Sequence, residues 1–154
     1  MNKIKVIIEV CAALLVMMFL YAGLVKVLNF PKFVFDMNNQ PFPNELTPLL
    51  IAGVLGSEFV IVGLLLFGKT RIKGFYLSAI VLTLFTLYIT MIQLGMFAYV
   101  PCSCGGVIES FTWWQHFFFN VAFLVISVMG IVLERKNNIQ EKTDPNLTAK
   151  YKSA

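Results

Sequence analysis

Apolar residues fall in four long runs, 4–30, 46–67, 75–100 and 111–133, separated by short polar or turn-forming stretches. Each run reaches the roughly 18 residues that mark a membrane-crossing helix, and none alternates as a barrel strand does. The pattern predicts an all-α fold, an integral membrane four-helix bundle. Pro31, Pro41 and Pro43 follow the first run, Gly68 and Gly74 flank the second turn, and Pro101, Gly105 and Gly106 follow the third. From Glu134 the chain turns polar, so 134–154 is expected to be a loosely ordered tail. Within the second run Ala52, Gly53, Gly56 and Ser57 give small-xxx-small spacings, which predict close helix packing inside the bundle or against a partner.

Composition sharpens this picture. Of 154 residues, 58% are apolar and 13% charged, and mean hydropathy is +0.80. An ordinary soluble domain is about 45–50% apolar and about 25% charged. No soluble core of this size hides that excess, so the solvent is lipid, and four crossings exclude a separate soluble catalytic domain. The net charge of +4 reads as topology and not as a nucleic-acid footprint, because Lys and Arg sit in short clusters beside apolar runs. Ten of the twelve basic residues lie at the start of the first run, between the second and third, or after the fourth; Lys26 and Lys32 lie on the other side. Both termini, the polar tail included, are therefore expected in the cytoplasm, with the protein a multi-pass component of a bacterial inner membrane. The start of the chain mimics a signal peptide, but its apolar run is too long, contains Glu9 and lacks a small-residue cleavage site, so it is expected to be retained as an anchor.

This topology places Tyr99-Val-Pro-Cys-Ser-Cys-Gly-Gly-Val-Ile108 on the periplasmic side. Two cysteines one residue apart in an oxidising compartment close a small, strained ring suited to thiol exchange, while Pro101, Gly105 and Gly106 keep the sulfurs approachable. A fixed structural disulfide, inert thiols, or a soft-metal site for Cu(I) are the alternatives for Cys102 and Cys104. Cys11 lies roughly 10 Å inside the opposite face at 1.5 Å per residue and reads as a small buried apolar residue.

Polar side chains inside the runs are costly in hydrocarbon and face the bundle interior. Glu58 lies roughly 18 Å into its helix, near mid-bilayer, and must be protonated or paired; Lys26, at the outer end of the first run, is the natural partner. His116 and Asn120, four apart, share a helix face. His116 is suited to proton transfer, to third-ligand duty beside two thiolates, or to a structural hydrogen bond. Gln93 and Thr90, with Tyr21, are expected to complete a polar pocket in the outer half, and Glu9 has Lys5 one turn away. Trp113, Trp114 and Tyr99 fit an interfacial aromatic belt, with stacking on a quinone ring as the alternative. Phe117, Phe118 and Phe119 read as lipid-facing and packing surface.

The Cys102-Ser-Cys-Gly105 loop, the Tyr21-Ala-Gly-Leu-Val-Lys26 stretch, Glu58 in the second run and Asn120 in the fourth together resemble the MauE/DoxX-like family of small four-helix membrane proteins. The likeness covers about residues 10–133. It implies redox maturation of exported proteins, with a periplasmic thioredoxin-like protein or another envelope protein as partner and quinone as candidate cofactor. Distantly, the architecture is similar to vitamin K epoxide reductase and DsbB-type bundles, which pass electrons from thiols to quinone. On this basis Cys102, Cys104 and His116 are candidate catalytic residues, and Lys26, Glu58, Gln93, Trp113 and Asn120 candidate cofactor contacts. A DsbB-like relay uses two cysteine pairs, however, and a single outer pair is present. The rival expectations are a non-enzymatic subunit or assembly factor with the pair as a structural clip, and Cu(I) handling by Cys102, Cys104 and His116.

Overall fold

The computed structural model describes residues 3–40, 43–96 and 113–143, with the side chains of 113 and 141–143 excepted. Among the described residues there are five helices, α1 (Lys3–Leu28), α2 (Phe30–Asn38), α3 (Thr47–Leu66), α4 (Arg71–Gln93) and α5 (Trp113–Thr143), with one 3₁₀ turn at Asn44–Leu46. No strand occurs among the described residues. Four of the helices are long and apolar enough to cross a membrane.

The first run breaks at Asn29. There the backbone N–H donates to the Val25 carbonyl at 3.0 Å and Nδ2 donates to the same oxygen at 3.2 Å, which ties off the last turn of α1. Pro31 then falls in the first turn of α2, where a missing N–H costs nothing. The proline-flanked stretch read as a connector therefore holds a short helix whose Phe33, Asp36 and Met37 face inward. At the far end of α3, Thr70 Oγ1 donates to the carbonyls of Leu64 at 2.9 Å and Phe67 at 3.2 Å, satisfying acceptors that a helix end leaves open.

Two expected boundaries move. α4 stops at Gln93 and not at residue 100, because Gly95 takes φ +67° and builds a Schellman cap. Its N–H donates to Ile92 O at 3.1 Å, and the Met96 N–H reaches Met91 O at 3.2 Å. α5, in contrast, runs ten residues past Leu133, to Thr143, through the stretch expected to be a loose tail. That segment contains neither Pro nor Gly, and an established helix propagates at little cost.

In the bundle α1 packs on α3 and α5, and α4 packs on the same two, so the helices form a ring in the order α1, α3, α4, α5. The core is a stripe of Ile8, Cys11, Leu15 and Phe19 on α1 against Ile61 and Leu65 on α3 and Phe75 and Leu82 on α4. Cys11 is thus a buried packing residue, as its position suggested. Lipid tails are as apolar as leucine, so helix association relies on close contact and interhelical hydrogen bonds. Both are visible. Ser78 and Ser127, wholly buried, bond across α4 and α5 at 3.0 Å. A Cβ on Gly130 would fall 2.3 Å from Phe75 Cε1, so the α4–α5 contact requires glycine there. At the α3–α4 turn, Arg71 donates from both terminal nitrogens to Glu9 at 2.8 and 3.2 Å, bringing the start of α1 beside the start of α4.

Candidate functional site

Lys26 occupies the last turn of α1, and Glu58 lies eleven residues into α3. Lys26 Nζ donates to Glu58 Oε1 at 2.5 Å, across from α1 to α3. The ammonium also approaches the Ala22 carbonyl at 3.5 Å. The side chains are 8% and 4% exposed, so the expected pair forms almost without solvent. Separately, each charge would carry a large desolvation penalty; together they cancel most of it, which explains their coexistence without implying net stabilisation. The pair is not saturated. Glu58 Oε2 is buried and has no hydrogen-bond partner among the described residues. Gly23 keeps space beside it: a Cβ there would lie 3.4 Å from Oε2 and 3.2 Å from Phe59 Cζ.

The pair forms part of the wall of a cavity of about 760 Å³ to which all five helices contribute. Most of the wall is apolar, including Met18, Phe19, Val54, Leu82, Phe85 and Phe119. The polar groups are Lys26, Glu58, Ser57, Gln40, Tyr88, His116 and Asn120. Asn120 Nδ2 donates to the His116 carbonyl one turn earlier at 3.0 Å, which orients that amide along α5.

Four predicted site residues, Lys26, Glu58, His116 and Asn120, thus share one chamber. Gln93 does not line it; it stands in the last turn of α4. Thr90 bonds back to Thr86 O at 2.8 Å, and Tyr21 is 51% exposed; neither belongs to the wall. Cys102, Cys104 and Tyr99 lie outside the described residues, as does the side chain of Trp113. Trp114 is exposed and stacks on Phe118, while Phe119 turns inward against Phe123 at 4.7 Å between ring centroids. The Phe117–119 run thus divides into lipid-facing and packing positions as expected. Glu9 is engaged by Arg71, a partner from another helix.

Gln40 and Tyr88 escaped the sequence reading. Tyr88 OH donates to Gln40 Oε1, joining α4 to a residue just past the end of α2. Gln40 Nε2 donates back to Asp36 O at 3.0 Å, and Asp36 in turn accepts from Lys32 at 3.0 Å. The signal lay in the spacing of Phe33, Asp36, Met37 and Gln40, a helical i, i+3, i+4, i+7 face inside the proline-flanked connector.

A four-helix membrane bundle with an ion pair buried beside an apolar chamber is the class of protein that fold and site define. Residues 4–133 match the family described as methylamine utilisation protein MauE, and the chain belongs to that family. No curated protein and no solved structure matches it.

Proposed function

We propose that this protein is a membrane thiol–disulfide exchange protein serving the redox maturation of exported proteins through Cys102 and Cys104. Membership of the MauE family supports the membrane role. The observation that carries the redox reading is one of tethering. α4 ends at Gln93 and α5 begins at Trp113, and both helices line the chamber near these ends, through Tyr88 and Ile89 on one and His116 and Asn120 on the other. The Cys-Ser-Cys segment lies in the sequence between those two helices, which supports assigning its chemistry to the chamber's end of the bundle. In this reading that end faces the periplasm of a bacterial inner membrane and both termini face the cytoplasm.

A thiolate of a thioredoxin-like partner attacks one sulfur of the Cys102–Cys104 disulfide, the S–S bond breaks, and the other sulfur leaves as a thiolate. The partner's second thiolate then attacks the mixed disulfide, which leaves the partner oxidised and Cys102 and Cys104 as a dithiol. Quinone, when bound, supplies the acceptor for the two electrons and two protons that restore the disulfide. The chamber suits such a group: about 760 Å³ of largely apolar wall takes a ring and the start of a chain, and an orphaned carboxylate oxygen marks its polar side. His116 and Asn120 would hold the ring oxygens, His116 would move protons released by the thiols, and Lys26 with Glu58 would keep that wall polar.

The test is the redox state of the pair in intact cells, read by mass-tag alkylation before and after a reducing pulse. Expected is a mixed population that re-oxidises within minutes, with one Cys→Ser variant accumulating a mixed disulfide that the double variant lacks. A pair that stays wholly oxidised or wholly reduced overturns the proposal in favour of a structural clip or a metal site.

A further inference from the structure

The small-residue face of α3 packs on no helix of the described chain: a Cβ on Gly53 or on Gly56 would meet nothing within 4 Å. Of the two, Gly53 lines the chamber and Gly56 does not. Leu49, four residues before Gly53, also lines it and is 71% exposed. On α4, Ile80 and Leu84, again four apart, line it while 55% and 61% exposed. Residues four apart share a helix face, so each helix contributes a strip that is both chamber wall and outer surface.

Both strips border the same chamber, on helices that pack against each other. Near their turn α3 and α4 touch closely, with the Cβ position of Gly74 2.9 Å from Leu65 Cγ. Farther from the turn, Leu49, Leu50, Gly53 and Val54 of α3 and Ile80, Leu84 and Tyr88 of α4 line the same chamber. The chamber therefore opens sideways between α3 and α4. Both helices are of membrane-spanning length and apolarity, and both strips are apolar, so the medium beyond the mouth is hydrocarbon. Inside lie the buried Lys26–Glu58 pair with its unpartnered oxygen, and the rings of Phe33, Phe85 and Phe119, which favour a flat guest.

We propose that the slot between α3 and α4 admits a membrane-dissolved molecule that joins a flat, hydrogen-bonding head to an apolar chain, the chemistry of an isoprenoid quinone, and that Gly53 keeps the slot open. The identity of the head rests on the redox reading; the lateral route does not. A Cβ at Gly53 would meet no neighbour within 4 Å, so a substitution there is expected to plug the slot while the bundle stays packed.

The experiment uses the full chain in proteoliposomes and a photoreactive short-chain quinone, with labelled peptides mapped by mass spectrometry. A diazirine-bearing phospholipid is run in parallel. Wild type and Gly56→Trp are expected to label with the quinone on residues 49–58 and 77–89, and Gly53→Trp to lose at least tenfold of that labelling. Leu84→Trp, which narrows the mouth from the facing strip, should reproduce the loss if Gly53→Trp fails to fold. Undiminished labelling in both plugged variants overturns the lateral route, as does equal loss in Gly56→Trp. Labelling by the phospholipid alone, lost in Gly53→Trp, upholds the slot and overturns quinone as its guest and with it the quinone arm of the proposed function. Absence of labelling by either probe in wild type overturns the slot.

Discussion

Replacing Lys26 with Met strands Glu58 eleven residues inside α3, roughly 16 Å from the helix start at 1.5 Å per residue. Its carboxylate is 4% exposed and already has one oxygen unpartnered, so the substitution leaves a buried carboxylate with no cation beside it. Breaking a buried pair from one side costs about 3–5 kcal/mol, or roughly two to three and a half decades in the unfolding equilibrium. The reverse substitution, Glu58→Met, is expected to cost less. Lys26 lies in the last turn of α1, and its long stem can swing the ammonium toward the interface. Replacing both with Met removes both desolvation penalties and should return stability to within about 1 kcal/mol of wild type. The assay is reversible unfolding in mixed detergent and dodecyl sulfate micelles, followed by far-ultraviolet circular dichroism, run as a double-mutant cycle. A Lys26→Met cost below about 1 kcal/mol, or a double variant as unstable as the sum of the singles, would refute the reasoning, since either result means that the two charges do not depend on each other.

Two further substitutions probe the helix contacts and ends by the same titration. Gly130→Ala drives a methyl into Phe75, whose ring is wholly buried, and should cost about 1–3 kcal/mol; partial rescue by Phe75→Leu is expected, and failure of any rescue places the strain elsewhere. Gly95→Ala forces a side chain into the left-handed region at φ +67° and should destabilise by about 1–2 kcal/mol. Gly95→Asn should lose less, and equal stability of all three proteins would show that the cap does not hold the end of α4.

The parts of the site legible in the sequence are those where a polar residue interrupts an apolar run. Lys26, Glu58, His116 and Asn120 stand out because hydrocarbon makes each expensive, and the same penalty drives all four to the chamber. Gln93 and Thr90 share that polarity, yet one ends α4 and the other bonds to its own helix. In a helix that is apolar all round, no stripe tells which way a given residue points. Gln40 and Tyr88 were hidden for another reason: prolines at 31, 41 and 43 suggested a connector, whereas Pro31 sits where a helix tolerates it and Phe33, Met37 and Gln40 form one face. Gly95 was passed over because apolar residues continue beyond it, and its left-handed φ is a property of the turn and not of the pattern.

By itself the sequence determined the solvent, the number of crossings, the helical class and the identity of the buried ion pair, because each follows from the cost of placing charge or open backbone in hydrocarbon. Only the tertiary structure decided which faces meet. It set Gly130 against Phe75 and Ser78 against Ser127, left the glycines of α3 unpacked, and formed the chamber among the helices. The physical reason is that lipid and core are equally apolar, so burial alone assigns no face to a membrane helix; close packing and a few hydrogen bonds assign it, and these exist only once the helices are side by side.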